Sequence, residues 1–161
     1  MTDPRSLAQQ SFASLDAMMQ AYAGEAARIA EVDHGMALDY SPESIARLET
    51  VLAARGPAAE SEQDEATRLW GAYYGEIFRH RWPACQWVMA VYPGQYKAGQ
   101  LNSGRADAGT DLAMPALDHN GSHVYPLLKV FRRLTMGPSE DLAAFYAKVS
   151  AALDAQARKD P

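Results

Sequence analysis

Leu69-Trp70-Gly71-Ala72-Tyr73-Tyr74-Gly75-Glu76 is the stretch that decides the fold. Two glycines four residues apart interrupt a segment that otherwise reads as a strong amphipathic helix. In a helix interior each glycine costs about 1 kcal/mol relative to alanine. A chain that keeps both needs something bulky against that face. At roughly 100° per residue, Leu69, Trp70, Tyr73, Tyr74, Ile77 and Phe78 fill one half of the wheel. Gly71 and Gly75 edge that half on one side. Glu76 and His80 edge it on the other, and Arg68, Ala72 and Arg79 make the outer face. The glycine pair reads as a packing notch inside the domain, with a notch for self-association or for a ligand as the alternative. Membrane helices use Gly-xxx-Gly to dimerise, but this helix is too polar for that.

Working outward, Ser61 is expected to cap this helix, Asp64 to sit in its first turn, and Pro83 to stop it near Arg81. Upstream, Phe12, Leu15, Met19, Tyr22, Ala26 and Ile29 predict a first helix over roughly 6–31. Ser41-Pro42-Glu43 starts a second, carried by Ile45, Leu48, Val51 and Leu52 and ended by Gly56-Pro57. Downstream the period changes. Gln86–Tyr92 is rich in β-formers and predicts a strand. Residues 93–111 hold Gly94, Gly99, Gly104 and Gly109 and read as a long glycine-rich connection. Leu112–Asp118 and Ser122–Tyr125 flank Asn120-Gly121, a strong hairpin signal. Pro126 opens a helix that Gly137 can close, and Ser139 is the expected cap of the last one. The order ααα-βββ-αα predicts a single α+β domain over 1–161, with about three antiparallel strands and about five helices, helices first and last.

The chain has 161 residues, 48% hydrophobic and 22% charged, a composition of ordinary globular domains that can bury a core without staples. Its net charge of −5 argues against nucleic acid as a partner, because phosphate binding needs concentrated Lys and Arg. One cysteine, Cys85, excludes an internal disulfide and a Cys-rich zinc site. No apolar run approaches the roughly 18 residues of a membrane span and none reads as a signal peptide, so no membrane is expected and a cytoplasmic location follows by default.

Gly71-Ala72-Tyr73-Tyr74-Gly75-Glu76-Ile77 resembles the Gly-x-Tyr-Leu-Gly-Glu-Val type of helix in a family of small uncharacterised bacterial proteins, a domain of unknown function. That family continues with a tryptophan-bearing strand, a Phe-Pro or Tyr-Pro step into a basic helix, a glycine with a short acidic turn, and Leu-x-x-Phe-Tyr. The matching pieces are Trp87, Tyr125-Pro126, Lys129-Val130-Phe131-Arg132-Arg133, Gly137 and Leu142-Ala143-Ala144-Phe145-Tyr146. The resemblance covers roughly residues 40–150. It implies a fold and no activity. Tyr74, where the family has an aliphatic residue, and the long 93–111 connection depart from it.

Several residue groups could carry chemistry. Glu76 and His80, four apart, can touch and form an acid/base pair or a half-exposed ion pair. Asp118 and His123 are expected to face each other across the hairpin, with His119 on the opposite face, so the three would not converge on a metal. A third ligand would have to come from elsewhere, for instance Asp33-His34. Cys85 reads as a buried thiol. Lys129, Arg132 and Arg133 share a helix face, either solvated or a patch for an acidic protein or a small anion, with Arg5 or Lys148 near. Tyr92 and Tyr96 could edge a binding surface. These residues suggest a non-catalytic protein-interaction or regulatory module in a bacterial cytoplasm, with an unknown protein partner or a second copy of the chain, and no cofactor. One alternative is a metal-dependent or acid/base hydrolase using Glu76, His80, Asp118 and His123. Another is a small-molecule binding protein using a cavity between sheet and helices.

Overall fold

The computed structural model describes the backbone of residues 4–56, 63–92 and 112–159. The fold is α+β, as the sequence predicts, with helices at both ends of the described chain. Elements run α1 (Pro4–Gln9), α2 (Leu15–His34), α3 (Ser44–Arg55), α4 (Gln63–Arg81), β1 (Gln86–Tyr92), β2 (Leu112–His119), β3 (Ser122–Val124), α5 (Pro126–Met136) and α6 (Leu142–Lys159). The strands form one antiparallel sheet in the order β1-β2-β3. The 93–111 connection, with Tyr96, and the cap at Ser61 lie outside the described residues. So does the side chain of Tyr92.

Two helix starts differ from expectation. The single first helix is two, because Ser14 breaks the run. Its hydroxyl accepts from the Ala17 N–H at 3.1 Å, and Asp16 follows in the first turn of α2. The last helix is capped by Asp141 instead of Ser139. Asp141 accepts from Ala144 N–H at 3.0 Å, while Glu49 of α3 accepts from Leu142 N–H at 3.3 Å. Ser41 does cap, but one turn ahead of α3. Its hydroxyl accepts from Ser44 N–H at 3.2 Å, inside a turn where Ser44 N–H also reaches the Ser41 carbonyl at 3.0 Å.

The outer face expected for α4 is not a solvated one. Every residue from Leu69 to Phe78 is buried, Ala72 included. The cause is that α4 is the central helix, packed by α2 on one side and α5 on the other. On α2 the small residues Ala23, Ala26 and Ala30 are fully buried, which allows a close approach. Arg68 reaches over the Tyr22 ring at 5.6 Å and caps that seam.

Gly71 and Gly75 make the notch, and this chain fills it. A Cβ on Gly75 would lie 2.3 Å from Cη2 and 2.4 Å from Cζ2 of Trp87. A Cβ on Gly71 would lie 2.8 Å from Leu127 Cγ and 2.9 Å from its Cα. The sheet therefore hangs on α4 through one indole, and α5 begins in the adjacent groove. That occupancy takes the notch away from a second copy or a ligand. Tyr74 is fully buried and donates to the Leu142 carbonyl at 2.6 Å, tying α4 to α6.

The hairpin forms in the expected register: Leu117 opposite Val124, Asp118 opposite His123, His119 opposite Ser122. Asn120 and Gly121 both have positive φ, 51° and 87°, as a two-residue type I′ turn requires. In β1 the Trp87 N–H points away from β2, to Asp16 Oδ1 at 3.0 Å. By alternation the Met89–Pro115 pair is also of the kind that exchanges no hydrogen bonds. Pro115 therefore sits where β2 needs no donor toward β1, and β3 is too short to reach it.

Candidate functional site

Glu76 and His80 share α4 but not a hydrogen bond. Glu76 is 5% exposed, and its Oε2 accepts from Trp87 Nε1 at 2.9 Å and Arg79 Nη1 at 3.0 Å. Arg79 in turn donates from Nε to the Cys85 carbonyl at 3.2 Å. The carboxylate is thus a structural anchor for the indole that fills the glycine notch. His80 stacks on Tyr40, with centroids 4.5 Å apart and planes 8° apart. Tyr40 also packs against Tyr73, whose hydroxyl donates to Ser44 Oγ at 2.7 Å and accepts from Tyr40 N–H at 3.0 Å. Burial pushes both tyrosine hydroxyls above their usual pKa. Both rings serve to hold the turn before α3.

Asp118 and His123 do meet, with Nε2 to Oδ1 at 3.3 Å across the hairpin. His119 points to the other face, where it is buried and its Nδ1 lies 2.9 Å from Gln156 Oε1 of α6. Among the described residues no three His, Cys, Asp or Glu side chains converge as metal ligands. By strand alternation Asp118 and His123 occupy the sheet face opposite Trp87, so the sheet separates them from Glu76. Cys85 is fully buried, and burial pushes its thiol up to about 11, which makes it a poor nucleophile at neutral pH.

The basic trio on α5 splits, and the expectation of a shared solvated face fails for Arg133. That residue is 6% exposed and donates from Nε to Glu49 Oε2 at 2.7 Å. Glu49 also holds the N-terminus of α6 through Leu142, so one carboxylate joins α3, α5 and α6. Burial without that partner would strand a charge, so the pairing is what admits an arginine to this face. Lys129 pairs with Glu140 at 2.6 Å, and its ammonium lies 5.4 Å from the centre of the Phe145 ring.

Lys129 and Arg132 line an open groove of about 420 Å³ between β3, α5 and α6. His123 and Tyr125 form its strand side, and Phe145 and Val149 its α6 side. A second depression of about 450 Å³ adjoins it, sharing His123, Val124, Phe145 and Val149 and adding Lys148 and Gln156. Four residues with basic side chains, His123, Lys129, Arg132 and Lys148, therefore border an apolar floor. Sequence spacing places Lys129 and Arg132 on one helix face. The contributions of Phe145 and Val149 depend on how α6 packs and have no local signal. Tyr96 and the Tyr92 side chain, the other candidates for a binding surface, lie outside the described residues.

Among the described residues no helix is long and apolar enough to cross a membrane. Comparison with protein-family models, curated proteins and solved structures gives no match to this chain.

Proposed function

We propose that this chain is a non-catalytic binding module of a bacterial cytoplasm, whose β3–α5–α6 groove takes an acidic, aliphatic segment of a protein partner. The observation that carries this reading is the groove itself, where His123, Lys129, Arg132 and Lys148 surround Tyr125, Phe145 and Val149. Peptide recognition in grooves uses apolar anchors for affinity and rim charges for orientation and on-rate. The cross-strand Asp118 and the Glu140 carboxylate hold His123 and Lys129 in place. The hydrolase alternative has weaker support, since the hydrogen bonds of Glu76 go to Trp87 and Arg79. The likeness of residues 71–77 to small bacterial proteins supports the choice of setting.

Selection from a displayed library of random twelve-residue peptides tests the reading. The counter-target is the variant Arg132→Glu with Val149→Asp. Peptides that bind the native chain and not the variant should be rich in Asp or Glu beside Leu, Ile or Val. Peptides that bind both forms equally, or that carry no acidic residues, would overturn it.

A further inference from the structure

β1 is an edge strand, since the sheet runs in the order β1-β2-β3. Its residues turn alternately toward β2 and away from it. Val88 and Ala90 aim their N–H and carbonyl groups at β2, and Trp87, Met89 and Val91 aim theirs outward. Asp16 takes the Trp87 N–H. Among the described residues nothing takes the Met89 N–H, the Met89 carbonyl or the Val91 N–H. The Val91 carbonyl has the Tyr125 hydroxyl at 3.4 Å, a long contact that leaves its second lone pair.

Natural sheets blunt their edges with charge, proline, a bulge or shortness. The other edge, β3, is three residues long and carries His123. β1 has seven residues, none of them charged, and pairs with β2 without a bulge. Met89 and Val91 are 60% and 52% exposed, on the face that bears Trp87. Free N–H and carbonyl groups beside alternate apolar side chains are what another β-strand complements.

The free window points to a second copy of this chain. It ends at Trp87, whose N–H is engaged, and before Pro93 in the sequence, which has no N–H. Its middle is Ala90, the smallest side chain in β1. A two-fold axis there sets Met89 opposite Val91 of the second copy, and the reverse. Every free donor then meets an acceptor, and exposed apolar side chains lie in pairs. Charge permits the contact. A net −5 opposes self-association, but Val88–Tyr92 and Leu112–Leu117 hold no charge. Asp16 adjoins Trp87, three residues from the axis, so the two Asp16 carboxylates stand about 20 Å apart along the strands, beyond the screening length of about 8 Å. Arg79 also lies 3.8 Å from each.

We propose that β1 pairs antiparallel with β1 of a second copy about a two-fold axis at Ala90, joining two three-stranded sheets into one. The groove between β3, α5 and α6 lies at the far edge of each sheet and stays open, so the dimer stands whether or not that groove binds a peptide.

Sedimentation of the full chain from about 10 µM to 1 mM should show monomer passing into dimer. Over the same rise, hydrogen exchange at the Met89 and Val91 amides should slow about tenfold, with the Trp87 amide unchanged. Val91→Lys places a charge at an exposed edge position, so the dilute variant should melt as the dilute native chain does, while its dimerisation weakens by about tenfold or more. In a mixed dimer of ¹³C-labelled and unlabelled chains, filtered NOEs should join the Met89 methyl of one copy to the Val91 methyls of the other, a readout that needs no variant. The proposal is overturned by a monomer at every concentration, by a dimer that survives Val91→Lys, by Met89 and Val91 amides that exchange equally fast in both states, or by a dimer without those NOEs.

Discussion

Replacing Gly75 by alanine should destabilise the protein even though alanine is the better helix former. The gain in propensity is about 1 kcal/mol. Against it, the new methyl would stand 2.3 Å from Trp87 Cη2, where carbon atoms at rest are about 3.5–4.0 Å apart. The indole must retreat by more than an ångström. Overpacking of that kind costs about 1–3 kcal/mol. The retreat also stretches the 2.9 Å bond from Trp87 Nε1 to buried Glu76, and a hydrogen bond to a charged group is worth about 1.5–3 kcal/mol. The balance is a loss of about 1.5–5 kcal/mol. Gly24 is the internal control. It lies inside α2, and a Cβ there meets nothing within 4 Å. Gly24→Ala should therefore stabilise by up to about 1 kcal/mol. Urea unfolding followed by tryptophan fluorescence gives both midpoints. If Gly75→Ala unfolds at the same or higher urea than the native chain, the notch reasoning is refuted.

Three further perturbations rest on the same contacts. Tyr73→Phe removes the hydroxyl that joins Ser44 to the Tyr40 N–H, and should cost about 1–3 kcal/mol and speed hydrogen exchange at the Tyr40 amide; an unchanged exchange rate would contradict that role. Arg133→Ala should cost about 2 kcal/mol in chemical denaturation, below the roughly 3–5 of a fully buried pair because Glu49 keeps contact with solvent; a loss under about 0.5 kcal/mol would show a surface pair instead. Stability should fall at alkaline pH. The unfolded Cys85 thiol ionises near 9.0 and the folded one near 11, so the unfolded chain releases its proton first. The stabilisation is whole below pH 9 and lost between about 9 and 11, with buried Tyr74, also pushed upward, adding to the fall. Urea midpoints from pH 7 to 11 measure this, and Cys85→Val should flatten part of the decline; a level profile would contradict the burial of both groups.

The sequence makes local features legible and long-range ones only in outline. Asn120-Gly121 announces its turn, and the two-residue loop then dictates every pairing from Leu117 to Val124. The glycine pair announces a close approach, but nothing near it in the chain says that Trp87 and Leu127 are what approach. Charge patterning misleads at Arg133, because the wheel assigns a cation to solvent and cannot see Glu49 coming from another helix. The same blindness applies to Glu76. Its spacing from His80 is right for contact, yet an indole and Arg79 take the carboxylate first. Capping is a competition of the same kind. Ser139 and Asp141 both suit an N-cap, and Glu49 holding the Leu142 N–H favours the second of them. The groove is legible only by half, since its α5 side follows from helix spacing and its α6 side from tertiary packing.

The most direct test of the proposed binding module is amide chemical-shift mapping of the isotope-labelled chain with a selected acidic peptide. Shifts should concentrate at His123, Lys129, Arg132, Phe145, Lys148 and Val149, the residues bordering the groove. Shifts centred on Glu76 and His80 with the groove silent would contradict the account.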